Sequence, residues 1–252
     1  MIRLKDIALG YGNHILLNHV SAEAGSGKLV ALLGRNGTGK STLLRAIAGL
    51  NKTQSGEIFL CDKNISSLNS LELAQTISFV TTERVRIANL RCEDVVALGR
   101  SPYTNWIGRM QKQDKEIIAR ALYLVGMFDY AQRTMDKMSD GECQRIMIAR
   151  ALAQDTPIIL LDEPTAFLDL PNRYELCLLL RNIAIKENKC ILFSTHDLDI
   201  ALSLCDSVML IDNPNLYCLP TAEMIGSGHI ERLFQNDAVT FDAKSQRVQI
   251  RG

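Results

Sequence analysis

The stretch that most constrains the fold is GRNGTGKST, residues 34–42, which matches the pattern G-x-x-x-x-G-K-[ST]. It follows KLVALLG, an uninterrupted apolar run that predicts a buried strand, and it opens KSTLLRAIAGL, whose apolar spacing predicts a helix. A chance glycine-rich turn is the alternative, but it would not explain the flanking strand and helix. The sequence therefore predicts an α/β fold with a phosphate-binding loop between a strand and a helix.

The loop supplies the first group of predicted binding residues. Its glycines let the backbone bend so that N–H groups point at phosphate oxygens, and Lys40 brings a positive charge to the β- and γ-phosphates. Ser41 offers a hydroxyl to Mg²⁺, and Thr42 offers one to the α-phosphate. The residues predicted to bind a nucleotide here are Gly34, Asn36, Gly37, Thr38, Gly39, Lys40, Ser41 and Thr42.

Strand and helix patterns alternate along most of the chain. IRLKDIAL and HILLNHVSAEA predict strands of an antiparallel layer, whereas TISFV, PIILLD, CILFST and SVMLI predict strands separated by helices. Such an order indicates a mainly parallel sheet with helices on both faces. From about residue 85 to 135 the spacing becomes helical, which predicts a helical subdomain inserted into the α/β core.

Composition argues against several classes of protein. The 252 residues contain 28 Lys and Arg and 28 Asp and Glu, so no basic surplus points to nucleic acid. The seven cysteines include no C-x-x-C pair, which favours buried thiols over a metal site or a disulfide framework. No apolar run approaches the roughly 18 residues of a membrane span, and the N-terminus lacks a signal pattern. We expect neither a membrane span nor secretion.

Two acidic residues end the apolar strand in IILLDEP, at the sheet edge where ligands of open α/β folds bind. Alone, such a pair is more often a solvated turn, but the phosphate loop favours a functional interpretation. Asp162 is predicted to hold Mg²⁺, and Glu163 to act as the general base or to orient water. His196, in STHDL, is either a structural histidine or a γ-phosphate sensor. The predicted catalytic residues are Glu163, His196 and Lys40.

The order GRNGTGKST, MSDGECQR, IILLDEPT, FLD and STHD resembles the ATP-binding subunits of ABC transporters over nearly the whole chain. The resemblance implies a P-loop cassette with a RecA-like sheet core, an N-terminal antiparallel β subdomain and an inserted α-helical subdomain. It implies one domain over 1–252, with the core at about 1–84 and 155–220 and a small C-terminal segment at about 221–252. The helical subdomain with the signature loop would span about 85–154.

The resemblance also implies further site residues. Tyr11, in GYGN, is similar to the aromatic residue that stacks on adenine, an ordinary turn tyrosine being the alternative. Asp169 is similar to the D-loop acid. Within MSDGE, Ser139 and Gly141 occupy the positions that touch the γ-phosphate bound by the other copy. The residues implied to contribute to that signature loop are Ser139, Asp140, Gly141 and Glu142.

The chain departs from the family pattern after TISFV, where a glutamine usually contacts Mg²⁺ and the attacking water. Here the sequence reads VTTER, so that Thr82 stands in the glutamine position with Glu83 beside it, while Gln75 lies too early. Thr82 is therefore predicted as a metal ligand with a shorter reach than an amide. The signature also changes, from Leu-Ser-Gly-Gly-Gln to Met-Ser-Asp-Gly-Glu.

The stretches NLRCEDVVALGRSPYTNWIGR and AFLDLPNRYEL are similar to ATPases that serve iron–siderophore, haem and cobalamin importers. The resemblance implies an ATP- and Mg²⁺-dependent ATPase that closes as a homodimer and drives a membrane permease, and indirectly a substrate-binding protein. The permease would contact residues 85–135, although SPYTNW could instead be a surface loop anchored by Trp106. The expected location is peripheral, on the cytoplasmic face of the cell membrane, without nucleic acid.

Other functions compete with this interpretation. A soluble ABC ATPase without a permease, in cofactor assembly or DNA-linked work, would share the same motifs, as would an importer of another solute. A kinase or GTPase with the same phosphate loop would leave MSDGECQR unexplained.

Overall fold

The computed structural model describes residues 1–12, 14–83, 88–104, 110–233 and 239–250; Trp106 lies outside them. The strands are β1 (Ile2–Tyr11), β2 (His14–Ala24), β3 (Lys28–Leu33), β4 (Ser55–Leu60), β5 (Lys63–Asn64), β6 (Ile77–Val80), β7 (Ile158–Leu161), β8 (Cys190–Thr195), β9 (Ser207–Asp212), β10 (Asn215–Pro220), β11 (Val239–Asp242) and β12 (Arg247–Ile250). The α-helices are α1 (Lys40–Ile47), α2 (Ser70–Thr76), α3 (Cys92–Ala97), α4 (Lys112–Leu124), α5 (Asp140–Ala153), α6 (Leu170–Lys186), α7 (Leu198–Leu204), α8 (Thr221–Gly226) and α9 (His229–Leu233). A 3-10 helix, Leu98–Tyr103, follows α3.

The central sheet has the strand order β10-β9-β3-β8-β7-β6. All neighbouring pairs in it are parallel except β9 with β10, which form an antiparallel edge. Strand β3 is buried on both faces: Val30 and Leu32 belong to one apolar cluster, while Leu29, Ala31 and Leu33 belong to another. This alternation is the period-2 pattern of a strand, and two-sided burial explains the continuously apolar sequence.

The register of the parallel strands brings three chain segments to one edge. Leu33 pairs with Thr195, and Leu161 pairs with Phe193, so β3, β7 and β8 end close together at their carboxyl ends. The phosphate loop, the acidic pair and the histidine segment each follow one of these strands. Sheet register therefore brings together the phosphate loop, the acidic pair and the histidine segment.

A second sheet, antiparallel, has the order β2-β1-β4-β5. Its apolar side chains share a cluster with Leu43, Leu44 and Ile47 of α1 and with one face of the central sheet. Helix α1 is thus packed between the two sheets, and the phosphate loop that precedes it is held from both sides. The arrangement confirms the predicted fold class.

The helices that follow β6 pack on the opposite face of the central sheet. Buried residues of α3, α4 and α5 join α6 and β3 in a single apolar cluster. Helix α5 contributes the most to it, from Cys143 to Ala153. This helical part carries MSDGE at the start of α5, so the orientation of α5 determines where the signature residues lie.

The C-terminal elements α8, α9 and the β11–β12 hairpin pack against the larger apolar cluster. Met224, Ile230 and Phe241 are buried in the same cluster as the helical part and the sheet. Across the described ranges, we find no helix with the length and apolar character that a bilayer crossing requires. All seven cysteines are free thiols, and burial raises the pKa of Cys177 and Cys190 to about 12.

Candidate functional site

The phosphate loop joins β3 to α1 through residues 34–39. Gly37 and Gly39 have φ angles of 81° and 99°, a left-handed region that favours glycine. A Cβ on Gly34 would lie 2.7 Å from the Thr38 hydroxyl oxygen, so a side chain there would force Thr38 to move. The glycines therefore shape a loop whose exposed tip, Asn36, faces solvent.

The Lys40 ammonium lies inside this loop. Its Nζ donates to the carbonyl oxygens of Gly34 and Arg35 at 3.0 and 3.2 Å, and the residue is only 6% exposed. Burial lowers its pKa below the ordinary 10.5, an effect that the carboxylates of Glu163 and Asp162 partly offset. The loop thus holds a desolvated positive charge where it would meet phosphate oxygens.

Asp162, the first residue after β7, is buried at 4% exposure. Two hydroxyl groups donate to the same carboxylate oxygen, Oδ1: Ser41 Oγ at 3.0 Å and Ser194 Oγ at 2.7 Å. The Ser41 and Asp162 oxygens form the start of an all-oxygen donor set, which is the kind that Mg²⁺ takes. The residues present at this position therefore fit a magnesium ion beside the loop.

Glu163 lies between two basic side chains. Its Oε1 is 3.9 Å from Lys40 Nζ and 4.0 Å from His196 Nδ1, and the side chain is 27% exposed. His196 follows β8 and is half-exposed, at 53%. The structure thus brings together the three residues predicted to be catalytic, with Glu163 central and His196 open to solvent.

Ser194 is a site residue that sequence reasoning missed. Its Oγ accepts the Glu163 N–H at 2.8 Å while donating to Asp162, so it contacts both acidic residues. It stands two residues before His196 in STHDL, on a strand that the sequence already placed at the site. That position was the available signal, but a buried serine in a strand is common and carries no signature of its own.

Thr82 lies next to the acidic pair. Its Oγ1 donates to the main-chain carbonyl oxygen of Asp162 at 3.0 Å. A hydroxyl that donates in this way keeps its lone pairs, so the geometry is compatible with the predicted metal contact. Glu83 is exposed, and the Gln75 amide donates elsewhere, to Pro102 O at 3.3 Å.

Tyr11 ends β1 beside the loop. Its hydroxyl is 3.0 Å from Thr42 Oγ1, and the residue is 60% exposed. The ring is largely exposed beside α1, so its face is accessible to an aromatic partner. The predicted role of Tyr11 is thus sterically open.

The signature residues stand on another element, at the start of α5. Ser139 caps the helix: its hydroxyl oxygen accepts the Glu142 N–H at 3.3 Å, and the Glu142 carboxylate accepts from Ser139 N and Oγ at 2.8 Å. These bonds, led by the one from the Ser139 N–H, hold the pKa of Glu142 below its ordinary 4.5. Asp140 is the first residue of α5.

The D-loop segment lies beside the signature. A Cβ on Gly141 would be 3.5 Å from a Leu168 methyl carbon, so the two segments approach closely. Asp169 caps α6 by accepting the Asn172 N–H at 3.2 Å. The predicted residues therefore fall on two sets of elements: the loop with the strand ends, and the start of α5 with residues 168–169.

Comparisons with known proteins agree with this geometry. The sequence profile of the ABC transporter family matches residues 17–166. An uncharacterised ABC transporter ATP-binding protein of Methanocaldococcus jannaschii is 38% identical over 97% of this chain and 82% of its own. The iron(3+)-hydroxamate import ATP-binding protein FhuC of Bacillus subtilis is 31% identical over 93% of this chain and 87% of its own.

Solved structures give the same result. A chain of an ABC transporter assigned to the metal-chelate type, in an inward-facing conformation, superposes with a TM-score of 0.82 at 28% identity, covering 92% of this chain and 88% of that one. A dimeric bacterial ABC transporter cassette superposes with a TM-score of 0.74 at 27% identity, covering 88% of this chain and 99% of the other.

Proposed function

The chain belongs to the ABC transporter family of ATP-binding cassettes, and from that premise we propose that it is the ATPase subunit of an iron-chelate importer. The observation that carries the site assignment is the meeting of Ser41, Asp162, Glu163 and Lys40 at one sheet edge, with Ser41 Oγ 3.0 Å from Asp162 Oδ1. These groups match the needs of a bound triphosphate: a cation for phosphate oxygens, oxygen ligands for a metal and a base for water.

Binding of ATP uses three features of the chain. Tyr11 stacks on the adenine, and the N–H groups of residues 34–42 surround the phosphates. The loop residues that we assign to nucleotide binding are Gly34, Asn36, Gly37, Thr38, Gly39, Lys40, Ser41 and Thr42. Lys40 exchanges its loop carbonyl acceptors for phosphate oxygens, which restores strong partners to a desolvated cation.

Ser41 and Asp162 would hold Mg²⁺. When bound, the ion neutralises negative charge on the β- and γ-phosphates. Glu163 accepts a proton from water aimed at the γ-phosphorus, and its place between Lys40 and His196 keeps its carboxylate at the reacting group. His196 donates to the γ-phosphate, for which its exposure leaves it free.

A second copy of the chain completes each site. Ser139 and Gly141 of one copy would meet the γ-phosphate held by the other, flanked by Asp140 and Glu142, and Asp169 would lie at the same interface. Support comes from the dimeric cassette among its structural relatives. Closure of the dimer then moves the helical parts, and hydrolysis reverses it.

The solute and the membrane partner are inferred from relatives. Matched proteins include a probable siderophore transport ATP-binding protein of Bacillus subtilis, 35% identical over 86% of this chain and 78% of its own, and FhuC. We therefore assign an iron–siderophore class of solute. A permease would contact the region 85–135, holding the chain peripherally at the cytoplasmic face of the membrane, and a substrate-binding protein would deliver the solute.

The importer assignment is tested by reconstitution. The tagged chain, purified with its membrane partner and placed in proteoliposomes, should hydrolyse ATP several-fold faster when a binding protein loaded with a ferric hydroxamate is added than when that protein is empty. Stimulation by another solute alone would overturn the iron-chelate class. Hydrolysis with no membrane partner and no stimulation would favour a permease-independent ATPase.

A further inference from the structure

The peptide group between Asp162 and Glu163 is unusual in both its conformation and its contacts. Glu163 has a φ of 45°, a left-handed conformation that non-glycine residues rarely adopt. Without external contacts, the backbone here would rotate towards a more populated region. Since Glu163 is the residue assigned to the attacking water, such a rotation would move the base.

Hydrogen bonds fix this peptide group from both sides. Its carbonyl oxygen, on Asp162, accepts from Thr82 Oγ1 at 3.0 Å. Its N–H, on Glu163, donates to Ser194 Oγ at 2.8 Å. Ser194 belongs to β8, and Thr82 follows β6. These two strands flank β7 in the central sheet, and the peptide group follows β7.

We propose that Thr82 and Ser194 are positioning residues that hold the Asp162–Glu163 peptide in its left-handed conformation and so aim Glu163 at the attacking water. The inference rests on the proposed role of Glu163 and adds two residues that act through it. A one-ångström displacement of a reacting group lowers a rate about a hundredfold, so a modest backbone rotation would be sufficient to matter.

The two positioning residues differ in what else they do. Ser194 also donates to Asp162 Oδ1, so its hydroxyl orients the predicted metal-holding carboxylate as well. The described contact of the Thr82 hydroxyl is with the peptide carbonyl. Thr82 also precedes the connection to α3, and therefore joins the base to the segment that leads into the helical part. Substitution of Thr82 is the cleaner test.

The experiment compares Thr82→Val with Thr82→Ser in the full chain. Valine keeps the shape of threonine but loses the hydroxyl, and serine keeps the hydroxyl. We expect Thr82→Val to lower kcat for ATP by about ten- to a hundredfold, with KM and the affinity for a non-hydrolysable ATP analogue unchanged. Thr82→Ser should retain a kcat near that of the wild type.

A matched control is Thr156→Val. Thr156 is fully buried, and its hydroxyl also donates to a main-chain carbonyl oxygen, that of Ile158, at 2.8 Å. The bond lies at the opposite end of β7, away from the acidic pair. If loss of a buried hydroxyl merely loosened the fold, Thr156→Val and Thr82→Val would lower kcat alike.

Three results would overturn the inference. Thr82→Val could turn over within twofold of the wild type, or Thr82→Ser could be as slow as Thr82→Val. Alternatively, saturating Mg²⁺ could restore the kcat of Thr82→Val, which would make the hydroxyl a metal ligand and not a positioning group. Glu163→Gln tests the proposed function separately. If this variant still hydrolyses ATP at the wild-type rate, Glu163 is not the base, whatever the Thr82 variants show.

Discussion

At the scale of single residues, the acidic signature has a local explanation. Glu142 stands three residues after Ser139, the spacing of a capping box, and its carboxylate accepts from the Ser139 N–H. The negative charge therefore stabilises the first turn of α5, where the helix dipole favours acids. For Ser139 to contact a phosphate held by another copy, its hydroxyl must exchange Glu142 for that phosphate.

Lys40 leads to a prediction at the same scale. Since burial lowers its pKa below 10.5, the folded chain disfavours the ammonium relative to the unfolded chain. The unfolded state thus binds this proton more tightly, and through this group stability rises as the pH rises towards 10.5. Lys40→Met should lose this pH dependence. At neutral pH its free energy of unfolding should be no lower than that of the wild type.

The same substitution should weaken ATP binding about tenfold or more, because hydrogen bonds to charged groups contribute about 1.5–3 kcal/mol. Urea denaturation at two pH values and nucleotide titration measure the two effects. A variant that is clearly less stable than the wild type at neutral pH would contradict the assignment of Lys40 as a residue kept for binding at the expense of stability.

At the scale of elements, a buried ion pair joins the helices of the helical part. Arg100, in the 3-10 helix, donates to Asp114 Oδ1 of α4 at 2.9 Å and to Ala153 O, the last residue of α5, at 2.8 Å. Its neighbour Gly99 must be glycine, since a Cβ there would lie 2.2 Å from Arg150 O of α5. Gly99 and Arg100 thus hold the C-terminal end of α5, the helix that begins with the signature residues.

Arg100→Met should therefore destabilise the chain by about 3–5 kcal/mol, because it leaves the Asp114 carboxylate buried without its partner. The Gln111 N–H and Arg100 hold the pKa of Asp114 below its ordinary 3.8, so this stabilisation is present above that value and is lost as the pH falls through the lowered pKa. Denaturation at neutral and acid pH measures both.

The control for Arg100 is Lys5→Met, which breaks the exposed pair of Lys5 Nζ with Glu57 Oε2 at 3.5 Å. Exposed pairs contribute less than about 1 kcal/mol, so the change should be small. Equal effects of the two substitutions would show that the Arg100 pair does not hold the helices together.

At the scale of the whole molecule, the two groups of site residues predict assembly. One group lies at the carboxyl ends of β3, β7 and β8, and the other at the start of α5 beside Leu168. In the proposed function, a second chain brings the start of its α5 to the phosphate held by the first, so ATP would contact both chains.

Glu163→Gln should make this assembly visible. The variant binds ATP but loses the base, so with ATP and Mg²⁺ it should elute from size exclusion as a dimer, whereas the wild type hydrolyses ATP and dissociates. Addition of Lys40→Met to the same variant should shift it towards the monomer, because ATP then binds at least about tenfold more weakly. A Glu163→Gln chain that stays monomeric with ATP and Mg²⁺ would contradict the shared site.

The sequence by itself determined the fold class, the phosphate loop and the acidic strand end, because these depend on local periodicity and on motifs within a few residues. The Ser139–Glu142 capping box also depends on a local spacing of three residues, but it was not predicted and the structure revealed it. Only the tertiary structure decided how the base is held. Ser194 and Thr82 bond the acidic pair across 32 and 80 residues of chain, beside a Glu163 whose φ is left-handed. Contacts at such separations are created by sheet register, which no local pattern in the sequence encodes.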